Sequence, residues 1–352
     1  MVIRLIHVIM LAATLTVLSS TPVAAAIDYG FVNVEVSDRG SANRDRAMQA
    51  GISEAVVRLS GSRQIDAELV DAIITDAARY VIGYGYQQAE TLQLQLTVDW
   101  LRLRDAMVAR QLPVWDFARP SVIVWLAIDN GLQRSMLAAH DPLIEQMNRV
   151  ARRRGIDLVW PLMDLQDQVA VSTSDVWAVF DRTLRQASER YEVSTLLVGR
   201  VSGRGERWQS RWDLIDATRS EYFAFEGSSL EQVTSEAVDK AVDYLGQSFA
   251  YLPEASAQAH EMVIVDVETA ADYAQLVTAL RSLSPILSVQ PRGLTDRRVA
   301  LAVQSLMSRP AMNGLLQRLG LLEPSGVAPG GVQLYRRPPQ LPVESSEATD
   351  TL

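Results

Sequence analysis

Cysteine is absent from the 352 residues, which excludes disulfides, thiolate nucleophiles, iron-sulfur ligation, thiolate zinc sites and a lipid-modified N-terminal Cys. Histidine is nearly absent. His7, His140 and His260 lie far apart, so a histidine metal cluster would need several carboxylates to complete it. Lysine occurs once, as Lys240, on the helical pattern that follows Ser229, where a long charged side chain ordinarily covers a solvated face. Every chemistry that needs a phosphate-binding or Schiff-base lysine therefore rests on that one position. The patterns Gly-x-Ser-x-Gly, His-Glu-x-x-His, the phosphate loop and Ser-x-x-Lys are also missing, and with them the commonest hydrolase and nucleotide-binding signatures. No cofactor and no metal is expected. A formal net charge of -9 speaks against nucleic acid as a partner, since such proteins present a basic face to phosphates.

Long apolar runs are scarce too, and the longest near the start has the order of a secretory leader. Arg4 supplies the charge, Val8 to Leu18 the apolar middle, and Ala24-Ala25-Ala26 the small residues at a cleavage point, expected after Ala26. Residues 1–26 thus read as a signal peptide, and the expected location is the periplasm of a Gram-negative envelope. Beyond it the longest run, Val122 to Ile128, is far below the roughly 20 residues that span a bilayer.

With 48% hydrophobic residues the remainder is a globular sequence long enough for two or three domains. The first, residues 27–115, opens with Val32, Val34 and Val36 in strand alternation. Met48, Ile52, Ala55, Val56 and Leu59 then recur at helical spacing up to Ser60-Gly61. A helix over 66–81, a strand through Leu92, Leu94, Leu96 and Val98, and a helix capped by Asp99 complete a small α/β layer. Gly83-Tyr84-Gly85-Tyr86 is read as a bend at a helix end. Pro113 and Pro120 mark the boundary to a second domain, 121–252, where strand 122–128, helix 142–154, strand 157–163, helix 174–190 and strand 194–201 alternate. Strands about Trp208 to Leu214 and Tyr222 to Phe225 follow, then a helix from Ser229 with a capping-box spacing to Gln232. The third domain, 260–336, reads strand, helix, strand, strand, helix, strand, a ferredoxin-like βαββαβ order. The stretch 338–352, rich in Pro, Ser, Thr and acids, is expected to be disordered. The fold class is therefore α/β and α+β in three small domains.

Candidate chemistry is thin. Asp164 and Asp167 follow a predicted strand, where α/β sheets often hold ligands, and paired carboxylates could divide acid and base roles; helix capping is the plainer alternative. Arg200, in the strand 194–201, joins them as the candidate polar site. Arg152-Arg153-Arg154 invites a phosphate or lipid-head reading, against which stands its place at a helix end, where cations oppose the dipole. Gly199, Gly203 and Gly205 read as a hairpin, with no following helix to bind phosphate. Six of the seven tryptophans fall between 115 and 212 and read mainly as core. His140 reads as a loop residue.

Leu112-Pro113-Val114-Trp115, Arg119-Pro120, Val124-Trp125-Leu126-Ala127, Arg153-Arg154-Gly155 and Pro161-Leu162-Met163-Asp164-Leu165-Gln166-Asp167 resemble an uncharacterised gammaproteobacterial envelope family, domain of unknown function 2066 (DUF2066). Further likenesses are Asp175-Val176-Trp177, Arg190-Tyr191, Val198-Gly199-Arg200-Val201 and Arg58-Leu59-Ser60-Gly61, so that the resemblance spans about 29–252. It implies a signal peptide and no assigned activity. The second domain is also similar to the α/β domains of periplasmic assembly proteins, among them the N-terminal part of the Tol-system propeller protein and the curli-secretion lipoprotein. The reading that follows is a non-catalytic envelope accessory protein that docks other proteins or cell-wall polymers. The alternatives are a carboxylate-dependent envelope hydrolase and a small-ligand or lipid carrier. The sequence sets no oligomeric state.

Overall fold

A computed structural model describes residues 30–338, apart from 117, 118, 217, 218, 296 and 329. The leader, its cleavage point at Ala26 and the tail from 339 lie outside the described residues. Among the described residues the chain is mixed α/β, with three sheets and ten α-helices. No described helix is long and apolar enough to cross a membrane.

The first segment runs β1 (Val32–Glu35), α1 (Ser41–Ser60), α2 (Ala67–Thr75), a 3-10 turn (Ala77–Tyr80), β2 (Val81–Gln88), β3 (Leu92–Val98) and α3 (Trp100–Val108). Its antiparallel sheet has the order β1-β3-β2. Strand alternation puts Val32, Leu94, Leu96 and Val98 on the face that meets Ile52, Val56 and Leu59 of α1, all buried. Each such Ile or Leu contributes about 1.5–3 kcal/mol by leaving water. The other face stays polar: Gln87 donates to Gln95 (2.9 Å), and Gln95 donates to Asn33 (3.3 Å). Two elements here differ from the sequence expectation. The expected helix over 66–81 stops at Thr75, and Gly83-Tyr84-Gly85-Tyr86 is not a bend but the middle of β2, whose register places Tyr84 against Leu96 and Tyr86 against Leu94. Two glycines hid the period-2 pattern.

The second segment comprises β4 (Val122–Asp129), β5 (Arg134–Met136), α4 (Pro142–Arg153), β6 (Leu158–Val159), α5 (Leu165–Ala170), α6 (Thr173–Ala178), α7 (Asp181–Ser188), β7 (Thr195–Arg204), β8 (Arg207–Ile215), β9 (Ser220–Gly227) and α8 (Leu230–Phe249). Strand order is β5-β4-β7-β8-β9, with the short β6 also on β4; β4 runs parallel to β6 and β7. Val122, Val124 and Leu126 pack with α4 and α8 on one face. Ile123, Trp125 and Ala127 pack with α6 and α7 on the other. A strand buried on both sides must be apolar throughout, which is why Val122 to Ile128 reads as an unbroken run. The expected helix over 174–190 is broken in two where Val179 takes a left-handed conformation (φ 53). Gly205 (φ 61) turns the β7–β8 hairpin, as expected from the glycine spacing.

The third segment is β10 (Gln258–Ile264), α9 (Ala270–Arg281), β11 (Ile286–Thr295), β12 (Arg298–Ser305), α10 (Arg309–Arg318), β13 (Glu323–Val327) and β14 (Gln333–Arg336), in the order β11-β12-β10-β14-β13. An extra strand, β13, absent from the six-element expectation, follows α10 at the sheet edge. The chain then folds back, with Ala328 donating to Val332 (2.8 Å), so that β14 enters beside β10 and parallel to it. Pro324 and Gly326 broke the strand pattern of β13. One core cluster contains Ile52, Trp115, Leu245 and Leu301, and so draws on all three segments.

Candidate functional site

The sequence-selected carboxylates come together, but as a clasp. Asp164 is the N-cap of α5, its Oδ1 accepting from the Asp167 amide (3.0 Å), the capping geometry expected of an Asp before a helix. Arg190 then donates to Asp164 through both terminal nitrogens (3.0 Å each) and to Asp167 (2.9 Å). Asp167 is buried, and its second oxygen accepts from the Tyr191 hydroxyl (2.5 Å) and the Met163 amide (2.9 Å). Both oxygens of each carboxylate are thus engaged. Arg190 holds the Asp164 carboxyl down at about 2, so it is ionised at neutral pH and unsuited to donate a proton. Burial and the hydrogen bond to Asp167 push the Tyr191 hydroxyl up. Arg200 does not join this group. It pairs with Asp213 on β8, and among the described residues no hydrogen bond or ion pair links it to Asp164 or Asp167.

At the carboxyl end of β4, the edge strand β5 pairs with Ala127, Ile128 and Asp129. The cavity beside Met163, lined by Val124, Leu126, Met136 and Trp160, has a volume of about 10 Å³, too small for a ligand.

The large concavity lies elsewhere, where the first and second segments meet, with a volume of about 980 Å³. One wall is the polar face of the first sheet, through Phe31, Asn33, Glu35 and Gln93. Opposite stands the last part of α4, with Gln146, Arg149, Arg152 and Arg153. The floor holds Arg58, Glu54, Arg119 and Gly155. The arginine triplet is divided by helical periodicity, which turns successive residues about 100° apart. Arg152 reaches Glu145 (2.5 Å) and Arg153 is exposed to the groove, whereas Arg154 points inward to Asp239 and Asp243 (2.6 Å each) and the Gly61 carbonyl (3.2 Å).

Beneath the groove, charged side chains fix the two segments to each other. Arg58 donates to Glu54 (2.8 Å) and to the Arg153 carbonyl (2.7 Å). Arg119 donates to the Arg154 and Trp115 carbonyls (2.7 and 2.8 Å) and lies over the Trp115 ring. Gly155 (φ 73) leaves the space the Arg119 guanidinium needs; a Cβ there would stand 2.8 Å from its Nη1. Burial lowers the Arg58 pKa, Glu54 opposes the shift, and the charge of Arg153 adds to it. Burial alone would raise the Asp243 carboxyl, but Arg154 and Arg63 outweigh it and hold the carboxyl below its ordinary value. Arg63 contributes both its amide (3.0 Å) and its Nε (2.8 Å) to Asp243.

The triplet is a candidate on its sequence alone, whereas Arg149, the amides of Asn33 and Gln93, and the floor arginines carry no motif that marks them as a site. The one available signal was Arg58, a charge among the apolar helix positions of α1 four residues after Glu54.

Comparison with family models finds residues 28–116 similar to a domain of unknown function, DUF8605. This corrects the resemblance to DUF2066 over 29–252: the matching model is a different one, and it covers the first segment only. Comparison with curated proteins and with solved structures gives no match.

Proposed function

We propose that this chain is a non-catalytic accessory or assembly protein of the bacterial envelope, exported on residues 1–26, which docks a partner in the groove between its first and second segments. The observation that carries the reading is the groove: about 980 Å³, open, polar and arginine-rich, on a junction whose own ion pairs are already complete. The carboxylates on which a hydrolase would have relied are consumed by Arg190 and Tyr191. A lipid carrier calls for an apolar cavity, and this groove is lined chiefly by charged and amide groups.

The architecture supports the reading in general terms. The second segment alternates strands and helices about one sheet, the coarse layout expected of such an assembly domain, and the third segment shares with a ferredoxin-like unit the placing of β12 between β10 and β11, although the parallel β14 departs from that pattern. We take the three sheets as three domains, 27–115, 121–252 and 260–336. The experiment is a crosslinked pull-down of the tagged protein from solubilised envelope, run beside an Arg149→Gln, Arg153→Gln variant and an Asp164→Ala, Asp167→Ala variant. The reading expects a specific partner that is lost with the first variant and kept with the second. A partner kept by the first and lost by the second would move the site to the clasp and end the reading.

A further inference from the structure

We propose that the groove binds an acidic glycan strand, its carboxylates held by Arg149 and Arg153 and its hydroxyls by the facing amides; the proposal rests on the docking reading above. Five arginines line the groove against three acids, a positive excess in a chain whose net charge is -9. Most of those arginines are committed: Arg58 to Glu54, Arg119 to carbonyls, Arg152 to Glu145. Arg149 and Arg153 are exposed, one helical turn apart on α4, and make no side-chain hydrogen bond or ion pair among the described residues. Two guanidiniums at that spacing, on one helix face, suit successive carboxylates along an extended chain.

The opposite wall carries the second requirement. Asn33 and Gln93 offer donors and acceptors together, the pairing that sugar hydroxyls and acetamido groups need. On the arginine side, the Gln146 carbonyl oxygen is buried and has no donor in the structure. Phe31, about half exposed, stands at the rim where a ring can cover the apolar face of a sugar. An acidic peptide fits less well. Strand addition would draw on the main chain at the start of β1, but the Phe31 carbonyl already accepts from Arg58 (3.4 Å), and the groove has no row of apolar pockets for alternate side chains.

The test is calorimetric titration of the purified protein with three probes of matched length: oligogalacturonate, neutral dextran and oligoglutamate. Oligogalacturonate is expected to bind and dextran to bind at least tenfold more weakly. Arg149→Gln with Arg153→Gln, both at exposed positions and expected to lower the Tm by no more than the loss of one helix-end cation, should weaken oligogalacturonate by roughly tenfold, the equivalent of about 1.4 kcal/mol. Equal or tighter binding of oligoglutamate overturns the proposal, because the groove would then read charge on a peptide. So does oligogalacturonate binding that the double variant leaves unchanged, or no binding at all. If the titrations are blank while the arginine variant still loses its envelope partner, the ligand class fails and the docking reading survives; if both are blank, both fail.

Discussion

Replacing Arg154 with Met tests the physical account of the junction beneath the groove. The Arg154 side chain is 6% exposed and its partner Asp243 8%, so the pair is shielded from water. Met keeps much of the stem's packing and removes the donors to Asp239, Asp243 and the Gly61 carbonyl. Breaking a buried pair by deleting one member costs about 3–5 kcal/mol, because the remaining charge stays buried. Asp243 would keep both hydrogen bonds from Arg63, which places the expected loss at the lower end, about 3 kcal/mol. Urea unfolding followed by tryptophan fluorescence reads it, since Trp115 is buried at this junction. The effect also has a pH signature. Because the folded pKa of Asp243 is depressed, its stabilising contribution is present above the unfolded carboxylate value of about 3.9 and is lost as pH falls through the lower folded value. The penalty of Arg154→Met should therefore shrink below about pH 4. A loss under about 1 kcal/mol at pH 7, of the size expected for a solvent-exposed pair, would refute the reasoning.

Other outcomes follow from the same geometry. Gly246→Ala places a Cβ 2.2 Å from the Gly61 carbonyl oxygen and should cost about 1–3 kcal/mol or more, read by thermal unfolding, while Gly85→Ala on open β2 should stay within about 0.5 kcal/mol. Tyr191→Phe removes a hydroxyl that both donates to buried Asp167 and accepts from the Leu162 amide, and should cost about 1–3 kcal/mol with faster hydrogen exchange confined to α5. His260 is buried against the Met307 carbonyl, and burial lowers its pKa. Its contribution is thus present above the unfolded value of about 6.5 and lost as pH falls through the lower folded value, so His260→Gln should flatten the acid limb of stability between neutral pH and pH 5.

The fold was legible where periodicity and punctuation agreed. Leu92, Leu94, Leu96 and Val98 announce β3, and Val122 to Ile128 announces β4, since burial on one or both faces leaves its mark on each residue. β2 and β13 were not legible. Glycine and proline interrupt their alternation, and only pairing to β3 and β14 makes them strands. At Asp164 the sequence carried both a capping and an acid-base reading; Arg190 and Tyr191, 23 or more residues further along the chain, decide between them. The groove was hidden for the same reason. Asn33, Gln93 and Arg149 carry no common motif and meet because tertiary contacts, among them Arg58 donating to the Arg153 carbonyl, hold the first and second segments together.

The most direct test of the docking surface uses the absence of cysteine, which allows one photoreactive label per molecule. A label at Glu35→Cys on the groove wall is compared with one at Gln166→Cys on exposed α5, each incubated with solubilised envelope and irradiated. The account predicts one dominant adduct from the groove label, suppressed by excess unlabelled protein, and none from α5. The same adduct from both labels, or an adduct from α5 alone, would contradict it.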